Sequence, residues 1–406
     1  MDTFVYMDYH ATTPVDPRVM EAMLPYFTER FGNPASRQHR QGWVAGEAVE
    51  RARASVARTI GAAAREVVFT SGATEANNLA LKGMSATLQK RGDHIITVRT
   101  EHNSVLDVCR KLEKNGFRVT YLDVDGDGLV DPGDVAGAIT GKTILVSVML
   151  ANNEIGTLQP VGEIGAICRS RGVAFHTDAT QAVGKIPVDV GSLQVDLLAM
   201  SAHKVYGPKG VGFLYIRRTG SRLAPVSQID GGGHEGGLRS GTLNVPGIVG
   251  CARALELAAA EMEAEGLRLS GWRDEMLRAW ETSPGDVRLN GHPTRRLPNN
   301  LNVSFPGVED NLLMMNMKDV AVSTGSACSS SKPEPSHVLS ALGLPRGVAG
   351  SAIRFGLGRF TTEEEVRYVT GRVAEEVMRL RELRGMKGAG ARNRKISRTP
   401  STTTTR

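Results

Sequence analysis

From about residue 43 to 216 the chain alternates short apolar runs with segments of helical periodicity, and no other feature restricts its fold so much. Val44, Ala48, Val49, Ala52, Val56 and Ile60 fall on one helical face, which Gly61 ends. Strand-like runs stand at 67–70, 95–98, 119–122, 144–150, 173–177, 196–201 and 212–216, and helical segments from 74, at 104–114 and at 163–171 lie between them. Apolar strands separated by helices predict an α/β fold, a mainly parallel sheet of the seven-stranded type covered on both faces. In such sheets ligands bind outside the carboxyl ends of the strands. Thr74, His102, Asn153, Asp178 and Lys204 all lie at or just past such ends.

The remainder reads as a smaller α+β unit. A helix over 248–265 leads out of the sheet, a strand is expected at 300–304 and a last helix at 363–381. The boundaries that follow are a large unit over 15–260 and a small one made of 1–14 and 261–384, with a Gly/Ser loop at 323–335. The 406 residues carry a formal charge of +6, a value that by itself suggests nucleic acid. Position argues against it. Lys387, Arg392, Arg394, Lys395, Arg398 and Arg406 stand in a tail without acids, so the body is formally neutral. Residues 385–406 are expected to be a disordered basic tail, and nucleic acid is not an expected partner except through it. No run of about 18 apolar residues exists, so no membrane span or membrane partner is expected. The early acids at Asp2 and Asp8 do not suit a leader peptide, and a cytoplasmic protein is expected.

Lys204 follows the apolar run 196–202 and precedes the turn 205–210, a poor place for a solvated cation. It suits an amine that desolvation readies for a Schiff base. Asp178 ends another apolar strand, and a lysine with such a carboxylate are the two protein groups that pyridoxal phosphate requires. The turn 70–75, entering a helix, offers backbone N–H groups and the Thr74 hydroxyl to a phosphate, with Ser201, His203 and Thr242 as further donors. His102 can stack on a ring and move protons near neutrality. His176 and Asp178 form an HxD pair that could ligate metal, but no third ligand is evident and no resident metal is expected. Arg354 suits bidentate recognition of a carboxylate. Cys109, Cys168 and Cys251 sit in helical segments as small hydrophobes, whereas Cys328 stands in a loop rich in small residues and is a candidate nucleophile.

Ten stretches in order, among them SGATEANNLA (71–80), TEHNSVLD (100–107), DATQAVGKIPVD (178–189), SAHKVYGPKG (201–210), GSACSS (325–330) and IRFGLGRFTTEEE (353–365), give the chain a family resemblance. It resembles cysteine desulfurases of the iron–sulfur-cluster-assembly branch, within the class V aminotransferase-like enzymes of pyridoxal phosphate fold type I. The resemblance implies conversion of L-cysteine to L-alanine with a persulfide left on Cys328. That sulfur would serve iron–sulfur-cluster assembly, with tRNA thiolation as a further outlet. Lys204 would carry the cofactor and shuttle the Cα proton, Asp178 would hold the pyridine nitrogen protonated, Gln181 would meet the phenolic oxygen and His102 would stack on the ring. Ala73, Thr74, Ser201 and His203 would hold the phosphate, joined by Thr242 from a second subunit of a homodimer. Asn153 and Arg354 would bind the substrate carboxylate. Cys328 could transiently contact a cluster on a scaffold protein that accepts sulfur. His10 stands where relatives often carry a smaller or amide residue, and the basic tail replaces a stretch that in some relatives docks the scaffold. Two other readings are a transaminase or lyase of the same fold that does not use Cys328, and a scaffold with a vestigial site.

Overall fold

The computed structural model of the chain describes residues 4–218, 224–324 and 336–396, with 386–396 as backbone. Among the described residues twelve strands run in chain order. They are β1 (Val5–Tyr6), β2 (Val67–Thr70), β3 (His94–Val98), β4 (Arg118–Leu122), β5 (Thr143–Ser147), β6 (Ala174–Asp178), β7 (Leu197–Ser201), β8 (Gly212–Ile216), β9 (Arg288–Leu289), β10 (Asn300–Ser304), β11 (Val320–Ala321) and β12 (Ala352–Gly356).

Seven of them form one sheet in the order β2-β8-β7-β6-β5-β3-β4. From β7 to β4 every pairing is parallel, while β8 runs antiparallel to both β7 and β2. Alternate residues of each strand feed opposite cores, as the period of two requires. Ile95, Ala174, Leu197 and Ala199 pack with Leu79, Met84, Val105 and Leu112 of the helices Ala73–Leu88 and Asn103–Lys114. Ile96, Phe175, Leu198 and Met200 pack with Val49, Val56, Ile164 and Leu255 of the helices Arg40–Thr59, Val161–Arg171 and Val245–Thr282. Burial on both faces is why these strands read as unbroken apolar runs.

A second core lies under a three-stranded sheet ordered β12-β10-β9, and it takes Val5 and Met7 from the N-terminal segment. Trp280 is fully buried there, its ring 4.8 Å from Phe355 and 5.6 Å from Phe305, and its Nε1 donates to the Thr370 carbonyl at 2.9 Å. β1 joins β11 in a parallel pair, which brings the N-terminus beside Ser323.

Two elements are longer than the sequence pattern predicts. The helix expected over 248–265 extends over Val245–Thr282, capped by Asn244, whose side chain accepts from Gly247 N at 3.1 Å. It supplies Ile248 and Leu255 to the first core and Leu269, Met276 and Trp280 to the second. Between the cores its residues face solvent, so apolar periodicity lapses while Ala, Glu and Met carry the helix across. The last helix, expected over 363–381, spans Glu363–Ile396. An established helix adds turns without a new nucleation cost, and composition alone missed this. Residues 397–406 lie outside the described residues.

Trp280→Ala is expected to lower unfolding free energy by about 3–5 kcal/mol, since it empties a buried aromatic site and removes the hydrogen bond to the Thr370 carbonyl. Urea titration monitored by far-UV circular dichroism measures it.

Candidate active site

The strand ends of the parallel sheet carry the residues that the sequence singles out. After β7 the chain makes a 3-10 turn, Ala202–Lys204, with Tyr206 at φ 63°. The N-terminal segment fixes that turn. Thr13 N and Oγ1 both donate to the His203 carbonyl at 3.0 Å, Tyr206 N donates to Thr13 Oγ1 at 2.8 Å, and Asp16 N donates to the Tyr206 carbonyl at 3.0 Å. Lys204 Nζ donates to the carbonyls of His10 and Ala11, each at 2.7 Å. The amine is thereby aimed by backbone dipoles at a fixed point beyond the sheet.

Asp178 ends β6 and is buried. Its Oδ2 accepts from Asn77 Nδ2 at 2.8 Å and its Oδ1 from Thr180 N at 3.0 Å. Asn77 lies on the buried face of the helix Ala73–Leu88 and also donates to Ser104 Oγ at 2.8 Å. Ser104 in turn meets His102. His102 caps the helix Asn103–Lys114, and its Nδ1 accepts from Ser104 N at 3.1 Å, which places the ring proton on Nε2. Burial is the main reason its titration lies below the usual histidine range, with Lys204 adding to the shift and Asp178 opposing it. Behind this group Glu101 is fully enclosed. Burial first and Asp178 second hold its carboxyl well above the usual carboxylate range.

On the other side of Lys204 three polar side chains are locked together. Gln181 Nε2 donates to the same His10 carbonyl at 3.0 Å, while its Oε1 accepts from Lys185 Nζ at 2.7 Å and lies 3.0 Å from His10 Nδ1. His10 Nε2 is 3.2 Å from the Asn299 carbonyl. Burial, followed by the charges of Lys185 and Arg354, pushes His10 well below its usual range. Burial, reinforced by Lys204, lowers the Lys185 amine to about 7. As a whole residue Lys185 is only half-buried, but its amine end is enclosed and governs the titration.

Ala73 and Thr74 open the helix Ala73–Leu88 after Gly72, whose φ of 148° suits glycine. A Cβ there would stand 3.3 Å from Ser201 Oγ, so the turn, the hydroxyl and the helix N-terminus share one small space. His203 Nδ1 is 3.1 Å from Thr12 Oγ1, and burial followed by Lys204 and Lys209 lowers its pKa to about 4. Thr74 and His102 line one open cleft of about 300 Å³. A larger cleft of about 590 Å³ lies elsewhere and is lined by Asp123, Asp125, Asp131, Asp134 and Glu163, carboxylates that repel an anionic ligand.

Arg354, on β12, reaches the site from the second core. Its Nη1 donates to the Asn153 carbonyl and its Nη2 pairs with Asp8 Oδ1, both at 2.8 Å. Asn153 is held by the preceding Asn152, whose Oδ1 accepts from Glu154 N at 2.8 Å and Ile155 N at 3.0 Å. Glu154 accepts from Ser336 Oγ, and burial raises its carboxyl to about 7 against the pull of that bond and of Arg354. Ser336 also caps the helix His337–Ala341. The structure thus brings Lys204, Gln181 and His203 together, gathers Asp178 with His102, and pairs Asn153 with Arg354. Thr242 stands apart on an exposed loop, and Cys328 lies outside the described residues. The sequence reading missed Asp8, Asn77, Glu101, Ser104, Glu154 and Lys185 as members of the site. A polar Asn77 on an otherwise apolar helical face was the available signal for one of them.

The donor set fits both ends of pyridoxal phosphate. A helix N-terminus with small hydroxyls suits the phosphate, and the Asp178 carboxylate suits a protonated pyridine nitrogen. Beside Asp178, Asn77 Oδ1 and Thr180 Oγ1 are buried without protein partners, as a polar guest requires. Among the described residues no group of three His, Cys, Asp or Glu side chains is placed to hold a metal.

An amine, a carboxylate and a helix N-terminus gathered on the strand ends of a mainly parallel sheet are the arrangement of an α/β enzyme. The chain belongs to the aminotransferase class-V family, whose pattern matches residues 5–369. It is similar to the cysteine desulfurase IscS of Anaeromyxobacter dehalogenans, at 56% identity over 93% of this chain and 94% of that one. The corresponding protein of Rickettsia conorii is 52% identical over 93% of this chain and 92% of its own length. Among solved structures, a NifS-like protein superposes with a TM-score of 0.85 at 39% identity, covering 92% of this chain and 98% of that one. A structure described as SspA in complex with cysteine gives 0.78 at 37% identity, covering 88% and 100%.

The Lys185 amine titrates near 7 in the folded protein and near 10.5 when unfolded. Between these values the unfolded chain binds a proton that the folded one lacks, so stability from this group rises with pH, and below 7 the full cost of the buried charge remains. The stability of wild type relative to Lys185→Met is therefore expected to rise from pH 7 to 9, by at most about 2 kcal/mol. Urea midpoints of both proteins across that range measure it.

Proposed function

We propose that the protein is a pyridoxal phosphate-dependent cysteine desulfurase that converts L-cysteine to L-alanine and leaves the sulfur on Cys328. The observation that carries this reading is the Lys204 amine, fixed at a strand end beside Asp178 and an anion cradle, in a chain 56% identical to a cysteine desulfurase over 93% of its length. Pyridoxal phosphate, when bound, supplies an electron sink for charge that develops at the substrate Cα.

The protein's own groups do the rest. Arg354 and Asn153 hold the substrate carboxylate, and the second core fixes the strand from which Arg354 projects. Lys204 carries the cofactor and moves the Cα proton. Asp178, oriented by Asn77 and Thr180, holds a proton on the pyridine nitrogen. Gln181 would meet the phenolic oxygen of the cofactor. His102 has its proton on Nε2 and presents a neutral ring for stacking and proton transfer. Backbone N–H groups at Ala73 and Thr74, with Ser201 and His203, hold the phosphate. The Cys328 thiolate attacks the substrate sulfur, the carbon–sulfur bond breaks, and L-cysteine plus a protein thiol becomes L-alanine plus a protein persulfide. The atoms balance without an outside oxidant. A transaminase would not need this thiol.

The persulfide supplies iron–sulfur-cluster assembly through a scaffold protein. A homodimer completes the phosphate site through Thr242, and two features support it. Thr242 is exposed on its own protomer, and the large apolar side chains Met20, Leu24, Phe27 and Phe31 recur at helical spacing on the surface. Among the described residues no helix is long and apolar enough to cross a membrane. Free, buried Cys109, Cys168 and Cys251 support a reducing compartment such as the cytoplasm.

Cys328→Ala is expected to keep the visible absorption of the bound cofactor while alanine formation from L-cysteine falls by about two orders of magnitude or more. Lys204→Ala is expected to lose both. Unchanged alanine formation in Cys328→Ala would leave a lyase or transaminase as the better reading.

A further inference from the structure

Arg354 is a buried guanidinium, and two of its N–H groups are already committed. Nη1 is spent on the Asn153 carbonyl and Nη2 on Asp8, while Nε has no protein partner. A guanidinium has five N–H donors, so the remaining three are enough for bidentate capture of a carboxylate. Which edge faces the substrate depends on what holds the other edge. Asp8 holds it.

Asp8 is itself fixed on every side. Its backbone bridges to Gly356 on β12, two residues from Arg354, with Gly356 N donating to the Met7 carbonyl at 2.8 Å and Tyr9 N to the Gly356 carbonyl at 3.2 Å. Its carbonyl accepts from Tyr6 Oη at 3.1 Å. Its Oδ2 accepts from Ser323 Oγ at 2.7 Å, which turns Oδ1 toward Arg354. Ser323 is also bridged through its backbone to Arg354, with Arg354 N donating to the Ser323 carbonyl at 2.8 Å. Three separate segments, 6–9, 323 and 352–356, therefore converge on one ion pair whose side chains are 5% and 16% exposed. A pair this enclosed has a set geometry, unlike a surface pair that samples many.

We propose that Asp8 is a positioning residue that sets the selectivity of the site for amino acids with a free α-carboxylate, by orienting Arg354. This rests on the reading that Arg354 binds the substrate carboxylate. Asp8 does not touch substrate. It fixes the plane of the guanidinium and leaves the three remaining N–H groups for the incoming anion. Without its charge the guanidinium turns toward other acceptors, and a carboxylate gains less over a neutral group of the same shape.

The test compares L-cysteine with L-cysteinamide, whose carboxylate is replaced by a neutral amide, on the holoenzyme. The measured quantity is the ratio of kcat/KM for the two, in wild type, Asp8→Asn, Asp8→Glu and Arg354→Lys. Asp8→Asn is expected to lower the ratio about tenfold or more, through KM for L-cysteine, while the visible band of the bound cofactor is unchanged. Asp8→Glu is expected to recover part of the ratio. General damage to the fold would lower both substrates alike and leave the ratio at its wild-type value, which would overturn the proposal. If Arg354→Lys lowers the ratio and Asp8→Asn does not, the carboxylate reading stands and the role of Asp8 falls. If Arg354→Lys also leaves the ratio unchanged, the carboxylate reading falls with it.

Discussion

The site depends on one crossing of the chain, where residues 8–16 pass over the carboxyl ends of β6 and β7. Here the backbone does what side chains usually do. The His10 carbonyl receives both Lys204 Nζ and Gln181 Nε2, and the Ala11 carbonyl receives Lys204 Nζ a second time. Thr13 and Asp16 bind the lysine turn on its outer side. A few residues earlier the same segment gives Val5 and Met7 to the second core and Asp8 to Arg354. One short stretch thus carries the amine side of the site and its link to the carboxylate side. Main-chain carbonyls cannot swing away as side chains can, so Lys204 is held without loss of rotamer freedom at its partners.

Charge placement follows from that enclosure. Lys185, His10 and His203 crowd around Lys204, and burial moves all three toward their neutral forms. The acids divide by environment. Glu101 is held well above the carboxylate range and Glu154 near 7, whereas Asp8 and Asp178 are met by donors on both oxygens. The pocket therefore balances its charges through a few well-placed pairs rather than through many buried ions. Such a balance favours an anionic guest over a cationic one, since the surplus donors are N–H groups.

Much of this was legible in the sequence, and the rest was hidden for physical reasons. The parallel strands read clearly because burial on both faces makes them apolar throughout, and the strand ends then located Thr74, His102, Asn153, Asp178 and Lys204 without coordinates. The antiparallel return of β8 left no such mark, since a strand buried on both faces looks the same in either direction. The helix Val245–Thr282 was cut short because its periodicity stops between the two cores. Asp8, Glu101 and Glu154 went unnoticed as site members because their meaning lies in partners 48 to 346 positions away. Local pattern records which face is buried, not which distant side chain a charge will meet.

The proposed chemistry comes to one event, the movement of sulfur from substrate to a protein thiol, with Lys204 and Arg354 proposed to hold the rest of the molecule. Mass spectrometry of the peptide containing Cys328, after brief exposure of the reduced holoenzyme to L-cysteine without an acceptor, tests it most directly. The account expects the mass of one added sulfur atom on Cys328 in step with one alanine released per site. Alanine released with Cys328 unmodified and sulfide free in solution from the first turnover would contradict it.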